Sequence, residues 1–200
     1  MSNWLVPCTL TGELVELIPL QRAHREALLE AAADGHLWEL WYTSVPSANT
    51  IDTYLTTALN DQEAGRSLPF VVVHRASGEI IGTTRYCRGD AVNRRLEIGY
   101  TWYAQRFQRT GVNTECKFLL LRHAFEALNC IAVEFRTHWH NHRSRRAIAR
   151  LGARQDGVLR NHRLEAGGGY RDTVVFSITE AEWPTVKKGL AFQMKARQSH

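Results

Sequence analysis

The 200-residue sequence has no long hydrophobic run and only four cysteines. No stretch approaches the 18 consecutive apolar residues of a membrane-spanning helix, so the sequence predicts no membrane partner. Residues 1–10 have neither a basic start nor a long apolar core, which argues against a secretory signal. The cysteines are scattered and form no C-x-x-C pair, which favours free thiols in a reducing compartment. These absences together predict a cytoplasmic protein.

Internal repeats, low-complexity tracts and linkers are also absent. Apolar residues make up 44% of the chain and charged residues 22%, which is ordinary globular composition and excludes a disordered or fibrous protein. The length predicts one domain, residues 1–178, followed by a polar, partly helical tail, residues 179–200.

Lysine is scarce, because 21 of the 25 basic residues are arginine. The first hundred residues carry 8 basic and 12 acidic side chains, net −4, and the second hundred carry 17 and 8, net +9. Arginine suits planar, bidentate recognition of phosphate. The second half is therefore expected to meet an anionic partner, either a nucleic acid or a phosphate-bearing cofactor, unless it is only a solvated basic face.

The hydrophobic pattern predicts a mixed α/β sheet. Strands are predicted at 10–20, 68–74, 79–87, 96–103, 130–137, 153–164 and 170–178, and helices at 22–34, 50–65, 110–128 and 141–151. In the strand LEIGYTWY, the alternation places Leu96, Ile98, Tyr100 and Trp102 on one side.

Three local features suggest a site. A loop between a predicted strand and a predicted helix reads Gln108-Arg109-Thr110-Gly111-Val112-Asn113-Thr114. Such a loop offers free backbone N–H groups and the positive end of a helix dipole, which bind pyrophosphate, although an ordinary turn also fits. Glu97 lies in the middle of a strand, where it serves a site or pairs with Arg94, Arg95 or Arg136. Asn141-His142-Arg143-Ser144 opens an arginine-rich helix, which Asn141 or Ser144 could simply cap.

In this order, the features resemble the GNAT superfamily of acetyl-coenzyme A-dependent N-acetyltransferases. The resemblance is strongest to its RimJ/RimL-like branch, the ribosomal-protein serine/alanine N-acetyltransferases. LEIGYTWY is similar to the family's fourth strand, and Gln108-x-x-Gly111-x-Asn113 to its Q/R-x-x-G-x-G/A loop. Asn141-x-x-Ser144 and the following R-x-x-A-x-x-R-L-G-A complete the pattern, which spans residues 10–178. Asn113 departs from it, because the family has a small Gly or Ala there.

The resemblance implies a GNAT-like mixed, mostly antiparallel sheet of six to seven strands, with splayed central strands and flanking helices. It also implies acetyl-coenzyme A as co-substrate and no metal. The residues expected to bind it are Gly99, Tyr100, Thr101, Trp102, Gln108, Arg109, Thr110, Gly111, Val112, Asn113, Thr114, Asn141, Ser144 and Arg145. An N–H near Tyr100 is expected to polarise the thioester carbonyl.

Acyl transfer to an amine also requires proton transfer. An alkylamine is mostly protonated at neutral pH, so a base must take its proton, and Glu97 is the candidate. By resemblance, Ser144 protonates the departing thiolate, with Tyr170 as the fallback acid. No cysteine lies in these motifs, so transfer is expected to be direct, in a ternary complex.

Three other readings compete with this one. His138-x-His140-x-His142 could hold zinc, but no acidic or cysteine partner is near in sequence. A basic nucleic-acid-binding module fits the isoelectric point of 9.2, but no helix-turn-helix, RRM or zinc-finger pattern appears. A sensor that binds acetyl-coenzyme A without catalysis is the third.

The acceptor is left open between a protein N-terminus and a small-molecule or antibiotic amine. Trp38, Trp41 and Tyr42 could wall its pocket, and acidic residues near the site would favour a cationic acceptor. The acidic candidates are Asp34, Glu39 and Asp52. A homodimer is the default expectation for the oligomeric state.

Overall fold

The computed structural model describes residues 4–165 and 168–198. The strands are β1 (Leu10–Thr11), β2 (Val15–Pro19), β3 (Leu68–His74), β4 (Ile80–Asp90), β5 (Arg95–Tyr103), β6 (Ala132–His138), β7 (Arg154–Leu164) and β8 (Tyr170–Thr179). The helices are α1 (Arg25–Ala33), α2 (Ile51–Glu63), α3 (Val112–Arg122), α4 (His142–Arg150) and α5 (Trp183–Gln198). Within the described ranges, no helix has both the length and the apolar character needed to cross a bilayer.

The strands form one sheet in the order β1-β2-β3-β4-β5-β6-β8-β7. Only β5 and β6 pair in parallel, so the predicted mixed, mostly antiparallel sheet is confirmed. The described residues contain eight strands rather than six to seven. One reason is that the strand predicted at 10–20 is divided by a turn, where the Gly12 N–H donates to the Val15 carbonyl at 2.9 Å.

The two central strands separate along their length. β5 and β6 pair over only three positions, from Arg95 opposite Ala132 to Glu97 opposite Glu134. Beyond Glu97, the described part of β5 pairs with β4 alone, while β6 continues against β8. The splay that the resemblance implies is therefore present, and it opens a gap from Ile98 onward.

A β-bulge lies beside this gap. Arg85 pairs with Gly99 and Thr83 with Trp102, so two residues, Tyr100 and Thr101, oppose Thr84 alone. Tyr100 adopts φ +51°, in the left-handed region. A bulge inserts one residue and so reverses the alternation of side chains after it.

The bulge makes one prediction about β5 wrong. Leu96, Ile98 and Tyr103 pack in the main core, whereas Trp102 packs in a second apolar cluster and Tyr100 is 47% exposed. The predicted common face assumed an uninterrupted period of two, which the bulge interrupts.

The two apolar clusters cover opposite faces of the sheet, since Phe70 and its neighbour Val71 belong to different clusters. The main cluster joins the sheet to α3 and α5, and the second lies under α1 and α2. The segment expected as a polar, partly helical tail forms α5, from which Trp183 and Leu190 enter the main core.

Candidate active site

Glu97 occupies the last paired position before the gap. The residue is only 8% exposed, so its carboxylate does not face solvent. Arg88 Nε lies 3.0 Å from Oε2 and Arg136 Nε lies 3.6 Å from it, as ion pairs without hydrogen-bond alignment. Of the three arginines expected as partners, Arg136 contacts Glu97, while Arg95 pairs with Glu134 at 2.6 Å.

Two opposing effects set the acidity of Glu97. Burial raises the pKa of its carboxyl above the usual value, while Arg88 and Arg136 act to lower it. The neighbouring Glu134 differs, because hydrogen bonds from Arg136 and Arg95 outweigh its burial and lower its pKa. Glu97 is therefore the more basic carboxylate of the pair, as a proton acceptor requires.

The backbone around Glu97 is shaped to fit its carboxylate. A Cβ at Gly99 would lie 3.0 Å from Glu97 Oε1 and 3.3 Å from Cys87 Sγ, so glycine leaves room for the carboxylate to lie along the strand. The next residue, Tyr100, holds its left-handed conformation although it has a side chain, and its carbonyl accepts from Thr83 Oγ1 at 3.1 Å. Such strain costs about 1 kcal/mol or more and clusters at functional sites.

The loop before α3 begins with the turn Gln105–Phe107, and its left-handed residue is Arg109, at φ +63°. Gly111 has an ordinary φ of −71° as the helix N-cap, and a Cβ there would lie 2.9 Å from Leu14 Cδ1. Thr110 Oγ1 donates to the Phe107 carbonyl at 2.6 Å and accepts from the Val112 N–H at 3.3 Å. The loop therefore ends at a helix N-terminus, as predicted, and Gly111 makes space for Leu14.

Two loop side chains turn inward. Gln108 Nε2 donates to the Tyr103 carbonyl at 2.7 Å, and its Oε1 accepts from Arg143 Nη2 at 2.5 Å. Asn113 Oδ1 accepts from the Tyr103 hydroxyl at 3.2 Å, which shows how the larger residue is accommodated. Gln108 thus connects the end of β5 to α4 across the mouth of the gap. Thr114 is buried in α3.

The start of α4 carries Asn141 and Ser144. Asn141 Oδ1 accepts from the Ser144 N–H at 2.9 Å, so the helix-cap interpretation of Asn141 is confirmed. The Ser144 side chain is half-buried, and its hydroxyl makes no hydrogen bond within residues 4–165 and 168–198.

Arg145 packs on its own loop, with its guanidinium 4.3 Å from the Trp139 ring centre and Nη1 3.2 Å from the Trp139 carbonyl. With Arg146 it lines a depression of about 450 Å³ beside Gln155 and Phe176. The arginine of α4 that contacts the α3 loop is instead Arg143, which no motif had indicated.

The three histidines do not converge. His138 Nε2 hydrogen-bonds Glu165 Oε1 at 2.7 Å, and the His140 N–H donates to His138 Nδ1 at 3.0 Å. Trp41 meets His138 edge-on at 4.9 Å, and His142 begins α4. In the part of the chain that the structure describes, no three His, Cys, Asp or Glu side chains are grouped as a metal site.

The remaining candidates lie at the surface or in other contacts. Tyr170, the fallback acid, is 66% exposed at the start of β8. Asp34 pairs with Arg106 at 3.0 Å and Asp52 with Arg25 at 2.9 Å, so both carboxylates already have arginine partners. Glu39 ends the single turn at 37–39 that also holds Trp38, and Tyr42 packs edge-on against Trp41.

Two buried cations also lie beside the bulge. Arg85, in β4, has its guanidinium 4.0 Å from the Tyr100 ring centre and 5.2 Å from that of Tyr54. Lys117, in α3, donates from Nζ to Thr101 Oγ1 at 2.5 Å, and burial lowers its pKa to about 8. In the sequence, Arg85 is only a basic residue inside an uncharged stretch and Lys117 only a basic residue before an apolar run, and neither pattern reveals what surrounds the side chain.

Comparison with known proteins identifies a matching family and relatives of the chain. A family model described as an acetyltransferase (GNAT) domain matches residues 15–154. YdaF of Bacillus subtilis (strain 168), provisionally named a ribosomal N-acetyltransferase, is 29% identical over 153 residues, which cover 72% of this chain and 78% of YdaF.

Solved structures extend the similarity over nearly the whole chain. A GCN5-related N-acetyltransferase from Brucella melitensis is 28% identical with a TM-score of 0.84, covering 95% of this chain and 86% of that one. RimJ of Mycobacterium smegmatis, solved in complex with CoA-disulfide, is 26% identical with a TM-score of 0.78 over 96% of both chains. The chain belongs to the GNAT family of acetyl-coenzyme A-dependent N-acetyltransferases, on its RimJ/RimL-like branch.

Proposed function

We propose that this protein transfers the acetyl group of acetyl-coenzyme A directly to a primary amine, with Glu97 as general base and Ser144 as general acid. The observation that carries the proposal is the buried carboxylate of Glu97 at the point where β5 and β6 separate. A protein N-terminus is the favoured acceptor, supported by the provisional name of YdaF as a ribosomal N-acetyltransferase. A small-molecule amine is the alternative acceptor.

The gap and the α3 loop are the elements proposed to bind acetyl-coenzyme A, which supplies an activated acetyl thioester. From Ile98 onward the β6-facing edge of β5 has no strand partner among the described residues, so its backbone is available to pantetheine amides. The N-terminus of α3 offers backbone N–H groups and a positive dipole to the pyrophosphate, although the Val112 N–H already donates to Thr110 Oγ1. Arg143, held by Gln108, adds a positive charge beside this loop.

Proton transfer is assigned to two side chains. Glu97 takes a proton from the acceptor ammonium, and Arg88 and Arg136 favour its ionised form. In this proposal a backbone N–H at the Tyr100 bulge polarises the thioester carbonyl. The Ser144 hydroxyl, which makes no hydrogen bond in the described chain, is assigned to protonate the thiolate. It regains a proton from the nitrogen of the tetrahedral intermediate, so the products are the amide, the free thiol and protonated Glu97.

Calorimetric titration of acetyl-coenzyme A tests the binding part. Wild type is expected to bind with a micromolar dissociation constant, and Gly111→Trp to lose binding because an indole displaces Leu14 and fills the loop. Gly157→Trp is the matched control, because a Cβ there has no neighbour within 4 Å. Absence of wild-type binding up to about 1 mM, weaker than about −4 kcal/mol, would exclude the proposal.

Thiol release across a panel of peptide and small amines tests the chemistry. Glu97→Gln is expected to keep acetyl-coenzyme A affinity and to lower kcat at least about 100-fold, the usual contribution of a general base. Because the base acts ionised, the wild-type rate should fall as pH falls through a pKa above that of an ordinary glutamate. A Glu97→Gln variant with the full rate, or with the same acidic limb, contradicts the assignment.

A further inference from the structure

Arg85 is a buried cation without a counter-charge. The residue is 3% exposed, and its guanidinium lies over the Tyr100 ring with Tyr54 on a second side. Within residues 4–165 and 168–198, it has no carboxylate within ion-pair distance and no hydrogen-bond acceptor. The five N–H donors of the guanidinium lie along its edge, and the two aromatic rings leave these donors without partners.

The neighbouring arginines differ from Arg85, because each of them has a carboxylate partner. Arg88 lies 3.0 Å from a Glu97 oxygen, Arg95 2.6 Å from a Glu134 oxygen, and Arg136 3.0 Å from the other Glu134 oxygen. Each is more exposed than Arg85, yet each has a carboxylate. Cation–π contacts offset only part of the free-energy cost of desolvating a buried charge. Binding of an anion at Arg85 would offset the remainder.

Arg85, with its unpaired charge, lies near the proposed reaction centre. It pairs across the sheet with Gly99, which lies between Glu97 and the bulged Tyr100. Arg85 also contacts Tyr54 of α2, on the sheet face that carries the second cluster. The anion that Arg85 receives would therefore lie on the same face of the sheet as Glu97, two residues from it along β5.

The charge around the site supports an anionic group rather than a cationic one. Arg171 is half-buried on β8, where Arg163 and burial lower its pKa and its Nε donates to Thr173. Of the acidic residues that could have favoured a cationic acceptor, Asp34 and Asp52 are paired with Arg106 and Arg25, and Glu39 is exposed.

We propose that Arg85 binds a carboxylate of the acceptor, so that preferred acceptors carry a carboxylate within about one side-chain length of their amine. The inference rests on the proposed function, since it places the acceptor on the Glu97 side of β5. A guanidinium fork matches a carboxylate in bidentate geometry. The carboxylate comes either from an acidic side chain at a peptide N-terminus or from the α-carboxylate of a free amino acid.

Calorimetry with two matched acceptor pairs, in the presence of saturating coenzyme A, tests the proposal without turnover. One pair is the peptide amides Asp-Ala-Ala and Asn-Ala-Ala, and the other is alanine and alaninamide. In at least one pair, the member with the carboxylate should bind wild type at least tenfold more tightly, and the pair that responds identifies the source.

Variants assign the preference to Arg85. Arg85→Gln should remove the preference while the neutral ligand keeps its affinity, and Arg163→Gln, an exposed arginine on β7, should keep it. If Arg85→Gln does not fold by circular dichroism, Arg85→Lys keeps the charge without the fork and should lose most of the preference.

The inference is overturned by equal binding within both pairs, by no binding of any of the four ligands, or by a preference that survives in the folded Arg85 variant. A loss in Arg163→Gln equal to that in the Arg85 variant also overturns it, because a general positive field then explains the preference. Thiol release from acetyl-coenzyme A is measured separately, so failure of the transfer reaction is distinguishable from failure at Arg85.

Discussion

Lys117 has its amino group enclosed in the interior, where its acceptors are the hydroxyls of Thr101 and Thr84. Burial lowers its pKa from 10.5 to about 8. Below pH 8 the folded protein holds a buried charge, which opposes folding. Between pH 8 and 10.5 the folded state has lost a proton that the unfolded state still binds, so stability rises with pH in this window.

Lys117→Met should therefore stabilise the fold, relative to wild type, more at low pH than at high pH. Relative to wild type, its free energy of unfolding at pH 7 should exceed the value at pH 9.5 by about 2 kcal/mol. Chemical denaturation at both pH values measures this, with the exposed Lys188→Met as control. Equal differences at the two pH values would contradict the assigned pKa.

The residues that could be predicted from the sequence are those whose role depends on local pattern. Glu97 stands out as a carboxylate inside a strand, and Asn141 precedes a helix that it caps. Arg85 and Lys117 could not be found in this way, because their surroundings are assembled by distant segments. The Arg85 environment needs Tyr54 from α2 and a bulge at Tyr100 that no periodicity reveals.

At the scale of elements, hydrogen bonds to Glu115 join the β1–β2 turn to α3. Its carboxylate accepts from the backbone N–H groups of Glu13, Leu14 and Val15 at 2.9, 2.7 and 2.8 Å. This also holds Leu14 against Gly111, so the turn supports the loop proposed to bind pyrophosphate.

Glu115→Ala should lower the free energy of unfolding by about 2–3 kcal/mol, because it removes a charged acceptor from three backbone donors, of which the Val15 N–H is buried. The same variant should weaken acetyl-coenzyme A binding, since Leu14 is released from the loop. Thermal denaturation and calorimetry measure the two effects, with exposed Glu63→Ala as the control. A stability equal to that of the control would show that the three hydrogen bonds contribute little.

Most elements could be predicted to within a few residues, because their boundaries follow local signals. The β3–β4 hairpin turns at Gly78, which has φ +73°, where the sequence predicts a turn. The elements that were misplaced depend on contacts across the fold. Residues 10–20 alternate like one strand, but Glu115, a hundred residues away, stabilises a turn within them.

At the scale of the molecule, α5 closes one face of the core. Trp183 stacks on Phe125 with ring centres 5.2 Å apart, and its Nε1 donates to Glu126 Oε1 at 3.0 Å.

Trp183→Ala should destabilise the fold by about 3–5 kcal/mol through the cavity it leaves, lowering Tm by roughly 10 °C. Calorimetric melting tests this, and Phe192→Ala on the exposed side of α5 should change Tm little. Equal changes in Tm for the two variants would mean that the buried face of α5 stabilises the fold no more than its exposed face.

The three-residue contact between β5 and β6 has a consequence for turnover. Strands β1–β5 form one block of antiparallel neighbours and β6–β8 another, so few backbone hydrogen bonds join the blocks. The shared apolar core, which draws residues from both, holds them together instead. Widening the gap at this seam therefore breaks few backbone hydrogen bonds, and its free-energy cost is set by the shared apolar core. If the gap holds the coenzyme as proposed, its release requires no unfolding of either block.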